Sequence, residues 1–369
     1  TLEEKIGQII QADISAVTPE DLKTYNLGSI LNGGNSAPGG GKVAPAKDWI
    51  ALADKFWEAS TDKSDGGVGV PALWGTDAVH GHNNLQSATI FPHNIGLGAA
   101  NDPDLIGRIA AVTAQEVRAT GIEWTFAPTL AVARDDRWGR TYESYSEDPK
   151  IVARYSKAMV QGLQGVSGDA DFLKGNNVIS TAKHFIGDGG TQYGIDKGDT
   201  QGDLEEIIGL HGAGYAPAID ADVQTVMASF SSINGTKMHG YRELLNDILR
   251  GKMGFEGFVV GDWNGHAEIP GCTATNCPAG LEAGVDMYMA PDSWKGLYKS
   301  LLKQAKSGEL NLARLDEAVT RILKVKIRSG LLDAPSPSLR IGTDPDQLGA
   351  VDHKEVAREA VRKSLVLLK

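Results

Sequence analysis

Eight short candidate strands, most of them near-continuous apolar runs, constrain this chain most. They cover residues 9–13, 27–31, 72–76, 124–128, 179–183, 225–229, 258–261 and 285–289. A strand with one wet face alternates apolar and polar residues. A continuous apolar run marks a strand covered on both faces, as in a parallel sheet. Helix-period segments fall between the runs, at 102–120, 148–164, 204–221, 242–252, 297–306 and 312–328. Asn101 is the expected N-cap of the first and Gly121 its stop. Pro149 sits in the first turn of the second. The last places Leu312, Leu315, Ala318, Val319, Ile322 and Leu323 on one face. Strands alternating with helices predict an α/β fold, with a (β/α)8 TIM-like barrel as the natural closure. A doubly wound open sheet competes. No Gly-x-Gly-x-x-Gly turn follows the first run, which weakens its dinucleotide-binding version. Pro38-Gly-Gly-Gly-Lys42 has no Ser or Thr after the lysine, so it is not a phosphate loop.

The chain has 369 residues, a length one such barrel can hold. The barrel is assigned to residues 1–333. Residues 334–348, rich in Pro, Asp and Ser, read as a linker. Helical periodicity resumes at 351 and ends in Ser364-Leu-Val-Leu-Leu-Lys369, an apolar run with no stop signal. Residues 334–369 are therefore expected to lead into a second domain, the chain being cut at that boundary. Thr1-Leu-Glu-Glu4 is a capping box, which suggests trimming upstream and leaves secretion unreadable from a leader. A net charge of −11 argues against nucleic acid and against an anionic membrane surface as partners. No apolar run approaches the roughly 20 residues that span a bilayer. Cys272 and Cys277 form a small disulfide loop or remain free thiols. The disulfide is favoured and implies an oxidising compartment, periplasmic or secreted. Two ligands alone make a poor zinc site.

Polar residues collect where the expected strands end. Asp77 closes the third, Lys183 and His184 the fifth, Asp262 the seventh, and Arg140 lies in the loop after the fourth. In a barrel this rim carries the active site; for any single residue, a helix cap or rim salt bridge is the bland alternative. A carboxylate at position 262 suits glycoside cleavage with retention, which needs an ionised nucleophile beneath the anomeric carbon. Lys183, Arg140 and His184 would lower its pKa and donate to sugar hydroxyls, while Asp77 accepts from them. Trp263 offers a flat face to a sugar ring.

Five ordered motifs carry a family resemblance. They are Gly75-Thr-Asp-Ala-Val-His-Gly-His-Asn83, Ala88-Thr-Ile-Phe-Pro-His-Asn94, Asp136-Arg-Trp-Gly-Arg-Thr-Tyr-Glu-Ser-Tyr-Ser-Glu-Asp148, Ala182-Lys-His-Phe-Ile-Gly-Asp-Gly-Gly-Thr191 and Gly257-Phe-Val-Val-Gly-Asp262. The chain resembles glycoside hydrolase family 3 from end to end, closest to its β-glucosidase and β-glucan exohydrolase branch. The resemblance implies that Asp262 is the nucleophile. It implies that Asp77, Arg140, Lys183 and His184 hold the non-reducing terminal glucose, and that Trp263 lines the sugar site. Phe230 falls where this branch commonly carries tyrosine, so a phenolic hydroxyl is missing. Lys197 replaces an acidic residue that often contacts the next sugar. The loop from Gly187 to Asp199 lacks the Asp-x-His acid of a sister branch. By resemblance the acid/base is a glutamate of a second, α/β sandwich domain. No cofactor or metal is implied, and the expected partner is a β-glucoside or β-glucan oligosaccharide.

Two rival readings remain. His80-Gly-His82, Lys183 and His184 are the pieces of a metal-dependent amidohydrolase, though the His-x-His follows the third strand rather than the first. Hydrogen bonds bracing loops are the plainer role for His80, His82 and His93. A non-catalytic sugar-binding barrel is the other rival.

Overall fold

The computed structural model describes residues 1–34, 36–64 and 66–369. Eight strands follow one another in the order expected: β1 Ile10–Asp13, β2 Ser29–Asn32, β3 Leu73–Thr76, β4 Trp124–Thr125, β5 Thr181–Phe185, β6 Thr225–Ala228, β7 Phe258–Val260 and β8 Tyr288–Met289. Every residue of all eight is buried, which is why the sequence shows runs and no alternation. They form two parallel sheets, one in the order β8-β1-β2-β3-β4 and one in the order β7-β6-β5. Isolated parallel bridges, Trp124 with Ile179 and Thr129 with Lys183 at one edge and Val260 with Met287 at the other, link the sheets. Trp124 lies edge-on to Phe126 and Phe258, with ring centroids 4.9 and 5.4 Å away. Its indole N–H donates to Thr181 and Thr225, so side chains from four strands meet in one core. A small extra sheet of Asp199–Thr200, Ser232–Ile233 and Thr236–Lys237 ties together the loops that follow β5 and β6.

Local chemistry fixes the helices. The Thr1/Glu4 capping box opens Leu2–Gln8. Thr18 and Asp21 form another ahead of Pro19–Tyr25, a helix that apolar spacing leaves unmarked. The helix Ala46–Thr61 is a further addition to the expected set, and it buries Trp49, Ala53, Phe56 and Ser60 at helical spacing. Asp102, not Asn101, caps Pro103–Arg118, its side chain accepting from the Leu105 N–H. Asn101 instead ends the preceding helix, Asn94–Ala100, in the left-handed conformation. The expected helix 204–221 is two helices, Leu204–His211 and Tyr215–Asp220, separated at Gly212 and Gly214. The segment Glu243–Lys252 is a π-helix.

Residues beyond 333 pack on this framework. The helix Val351–Ser364 lies against Pro103–Arg118 through His353 and buried Glu116 (2.8 Å), Glu359 and Arg108 (2.8 Å), and Lys363 and Asp102 (2.6 Å). After it Leu365 to Leu368 stand exposed.

The helix Leu312–Arg328 turns its inner face further than its Leu pattern suggests. Leu312 is exposed, and Lys326 is fully buried. The Lys326 Nζ donates to Gln8 Oε1 and to the Pro71 carbonyl, at 2.9 and 2.8 Å. Two acceptors match the two N–H bonds of a neutral amine, and burial pulls its pKa from 10.5 down to about 7. Between those values the unfolded chain binds a proton that the folded chain does not, so stability rises with pH across that window. Lys326→Met should remove this rise. Urea midpoints of both proteins across the window test it, and parallel pH profiles would refute it.

Candidate active site

The site residues stand where the strands end. Asp77 directly follows β3, Lys183 and His184 lie within β5, Phe230 is two residues beyond β6, and Asp262 and Trp263 follow β7. Arg140 precedes a short 3-10 turn, Thr141–Glu143, in the loop after β4.

The Asp262 carboxylate is aimed by its surroundings. The Trp263 N–H donates to its Oδ1 at 2.7 Å. The Asp262 N–H donates to His239 Nε2 at 2.9 Å, and burial holds His239 neutral with a pKa of about 3. Gly265 closes this turn, since a Cβ there would lie 2.3 Å from His239 Cε1. The His184 Nε2 stands 3.8 Å from Asp262 Oδ2, and the Arg140 Nη2 stands 3.1 Å from the same nitrogen. Glu143 in turn holds Arg140 at 2.6 Å. Lys183, nearly buried, pairs with Asp77 at 2.6 Å.

The electrostatics differ from the expected depression of the Asp262 pKa. Burial raises it, and this outweighs the Trp263 N–H, Arg140 and Lys183, which lower it; Asp77 adds to the rise. Only 14% of the Asp262 side chain is exposed. His184 is pushed well below the ordinary histidine range, by burial first and then by Arg140, Lys183 and His239. It is therefore neutral, and it acts as a hydrogen-bonding group rather than as the cation the sequence suggests.

Two residues line the rim. Trp263 is 41% exposed, and its ring rests on Gly33, where a Cβ would lie 2.5 Å from it. Asp13, which ends β1 and is absent from the expected site, accepts from the Gly33 N–H and the Ser36 hydroxyl and so shapes the loop beneath Trp263. Phe230 carries the Lys197 ammonium 4.1 Å above its ring. Lys237 fixes both loops by donating to the carbonyls of Lys197 and Phe230. Between Phe230 and His184 lies a cavity of about 10 Å³, also lined by Trp138, Arg140, Asp188 and Lys197. That is room for about one water. A larger cavity, about 510 Å³, opens where β6 and β7 begin. Its Asp222 is already engaged by Arg328, Ser167 and Gln224.

The histidines of the amidohydrolase reading do not converge. His80 meets the Phe91 carbonyl and stacks on His93, and buried His82 bonds Thr120. Among the described residues no three His, Cys, Asp or Glu side chains are arranged to hold a metal ion.

The profile of the Glycosyl hydrolase family 3 N terminal domain matches residues 1–325. The chain belongs to glycosyl hydrolase family 3. Among solved structures it is similar to the exo-1,3/1,4-beta-glucanase of a Pseudoalteromonas species. The two are 53% identical, with a TM-score of 0.98 over all of this chain and 46% of that one. The lysosomal beta glucosidase of Dictyostelium discoideum is 30% identical over all of this chain and 47% of its own length. The periplasmic beta-glucosidase of Salmonella typhimurium is also 30% identical, over all of this chain and 46% of its own. The chain thus spans about half the length of the curated relatives it matches. Cys272 and Cys277 are joined in a disulfide, and no helix among the described residues is long and apolar enough to cross a membrane.

Proposed function

We propose that this chain is the (β/α)8 barrel of a retaining, exo-acting β-glucosidase or β-glucan exohydrolase, with Asp262 as nucleophile. The observation that carries the reading is the Asp262 carboxylate, aimed from the end of β7 beside His184 and Arg140. Bridges at both sheet edges and the Trp124-centred core support barrel closure. The barrel would run from residue 1 to 333, with 334–369 connecting onward. A Pseudoalteromonas relative named for β-1,3 and β-1,4 glucan supports the substrate class. The disulfide and a periplasmic relative support a periplasmic or secreted setting.

In this reading Asp77, Lys183, Arg140 and His184 hold the terminal glucose by its hydroxyls, with Trp263 and Phe230 walling the ring. An Asp262 oxygen attacks the anomeric carbon, and the bond to the aglycone oxygen breaks. That oxygen takes a proton from an acid. Water then displaces the carboxylate and gives β-glucose. The neighbouring carboxylates are spoken for: Arg140 holds Glu143, Lys183 holds Asp77, and Asp188 lies behind His184. This supports an acid/base from elsewhere, a glutamate of a second α/β sandwich domain of the parent protein.

The test is covalent trapping with 2,4-dinitrophenyl 2-deoxy-2-fluoro-β-glucoside, whose leaving group needs no acid. One fluoroglucosyl unit should add to the intact protein and map to Asp262. Cellobiose should turn over about 10²–10⁴-fold below a chain supplied with its acid. No adduct would favour a non-catalytic sugar-binding barrel.

A further inference from the structure

Asp188 lies in the turn Asp188–Gly190 after β5, and it is buried. Its Oδ2 lies 3.0 Å from His184 Nδ1, and its Oδ1 accepts from the Gly189 N–H at 3.1 Å. The other imidazole nitrogen, Nε2, faces Arg140 Nη2 at 3.1 Å and Asp262 Oδ2 at 3.8 Å.

These contacts fix where the imidazole proton sits. A guanidinium has donors only, so the Nε2 that meets Arg140 must offer its lone pair. A neutral imidazole with a bare Nε2 carries its proton on Nδ1. That N–H needs an acceptor, and the Asp188 carboxylate is the group in place. The opposite tautomer would set two donors against each other at 3.1 Å and point an N–H at the nucleophile. We propose that Asp188 is a positioning residue that holds neutral His184 in its Nδ1–H tautomer. The Nε2 is thereby kept as an acceptor between Arg140 and Asp262. This deepens the glycosidase reading and rests on it for its catalytic consequence, but the tautomer itself is measurable without catalysis.

The consequence concerns the nucleophile. With Nε2 bare, His184 gives no proton to Asp262, so the carboxylate keeps its charge for attack. The same lone pair can accept from a sugar hydroxyl. Other titratable groups face Asp188. They are Arg140 and Glu143 from the loop after β4, His184 itself, and Tyr215 from the helix Tyr215–Asp220. Asp196 and Lys197 share its cavity. Burial raises the Asp188 pKa to about 7, so the arrangement is read above that pH.

Nitrogen NMR of histidine-labelled protein, with His184 assigned by its loss in His184→Gln, reads the tautomer directly. In the unmodified protein above pH ~7 we expect a protonated Nδ1 and a bare Nε2; a protonated Nε2 overturns the proposal. In Asp188→Ala the Nε2–H form should appear, and trapping by the fluoroglucoside should slow about 10²-fold while glucose affinity changes far less. Asp188→Asn keeps an oxygen that can accept from Nδ1–H and should recover most of that rate. An Ala variant with unchanged tautomer and rate overturns the proposal. If the tautomer behaves as stated but Asp262 is never labelled, the glycosidase reading fails and the positioning role stands.

Discussion

Asp262→Gly should slow cleavage of 2,4-dinitrophenyl β-glucoside by at least about 10⁴-fold, with glucose affinity changed by less than about tenfold. The activated leaving group matters, because the loss then reports the nucleophile and not a missing acid. The glycine leaves space beneath the anomeric carbon. Azide can enter there, form the C–N bond as the aryl oxide departs, and give α-glucosyl azide. Rescue by azide with that anomer fits displacement on the face Asp262 occupies. A β-azide, or a variant within about tenfold of the parent rate, would put the nucleophile elsewhere. The pH profile has a definite sign. Burial raises the Asp262 pKa, and in the proposed mechanism only an ionised carboxylate can attack. The rate should therefore fall on the acid side at a pH above the ordinary aspartate value of 3.8. The native state binds a proton there that the unfolded chain has lost, so this carboxylate costs stability as pH rises through the window. The glycine variant should lose that dependence.

How much of this was legible depended on local signal. β6 and β7 announced themselves because strands covered on both faces read as mainly apolar runs, whereas β1 and β2 also bury Gln11, Asp13, Ser29 and Asn32. β8 was harder: residues 285–289 read as one run, yet regular pairing is confined to Tyr288–Met289, and buried Asp286 lies just before it. Asp102 and Asn101 show the limit of cap reading. Both suit a cap, and only the backbone decides that Asn101 ends one helix while Asp102 starts the next. Asp77, Lys183, His184 and Asp262 could be named because strand ends and ordered motifs agree on them. The pKa direction of Asp262 could not. It turns on how much water reaches the carboxylate, a property of packing that spacing does not encode. Asp13 and Asp188 were not singled out although one ends β1 and the other lies in a quoted motif, because their side chains turn to neighbouring groups, the Gly33 N–H and the His184 Nδ1.

Asp286→Ala should destabilise the fold by about 3–5 kcal/mol, the range expected when a buried ion pair loses one partner. Asp286 is fully buried at the seam between β7 and β8, where pairing is reduced to the Val260–Met287 bridge. Its Oδ2 accepts from the Val259 N–H at 2.8 Å and from Arg250. Its Oδ1 accepts from Arg314 at 2.6 Å and from Arg321 at 3.0 Å. One carboxylate thus joins the edge of β7 to the helices Glu243–Lys252 and Leu312–Arg328. Burial already presses on the cations, since the Arg250 pKa is lowered to about 10 even with Asp286 beside it. Without the carboxylate the guanidinium groups of Arg250, Arg314 and Arg321 face one another, and the Val259 N–H loses its acceptor. Asp286→Asn keeps the shape and an acceptor but not the charge, so it should fall between the parent and the alanine variant. The origin of the loss can be separated from cavity formation. Adding Arg314→Met to Asp286→Ala removes the most buried stranded cation, and the double variant should be more stable than Asp286→Ala alone. Urea midpoints of the parent and these variants decide it. A loss below about 1 kcal/mol, or a double variant less stable than Asp286→Ala, would mean that the seam is held by apolar packing and not by this carboxylate.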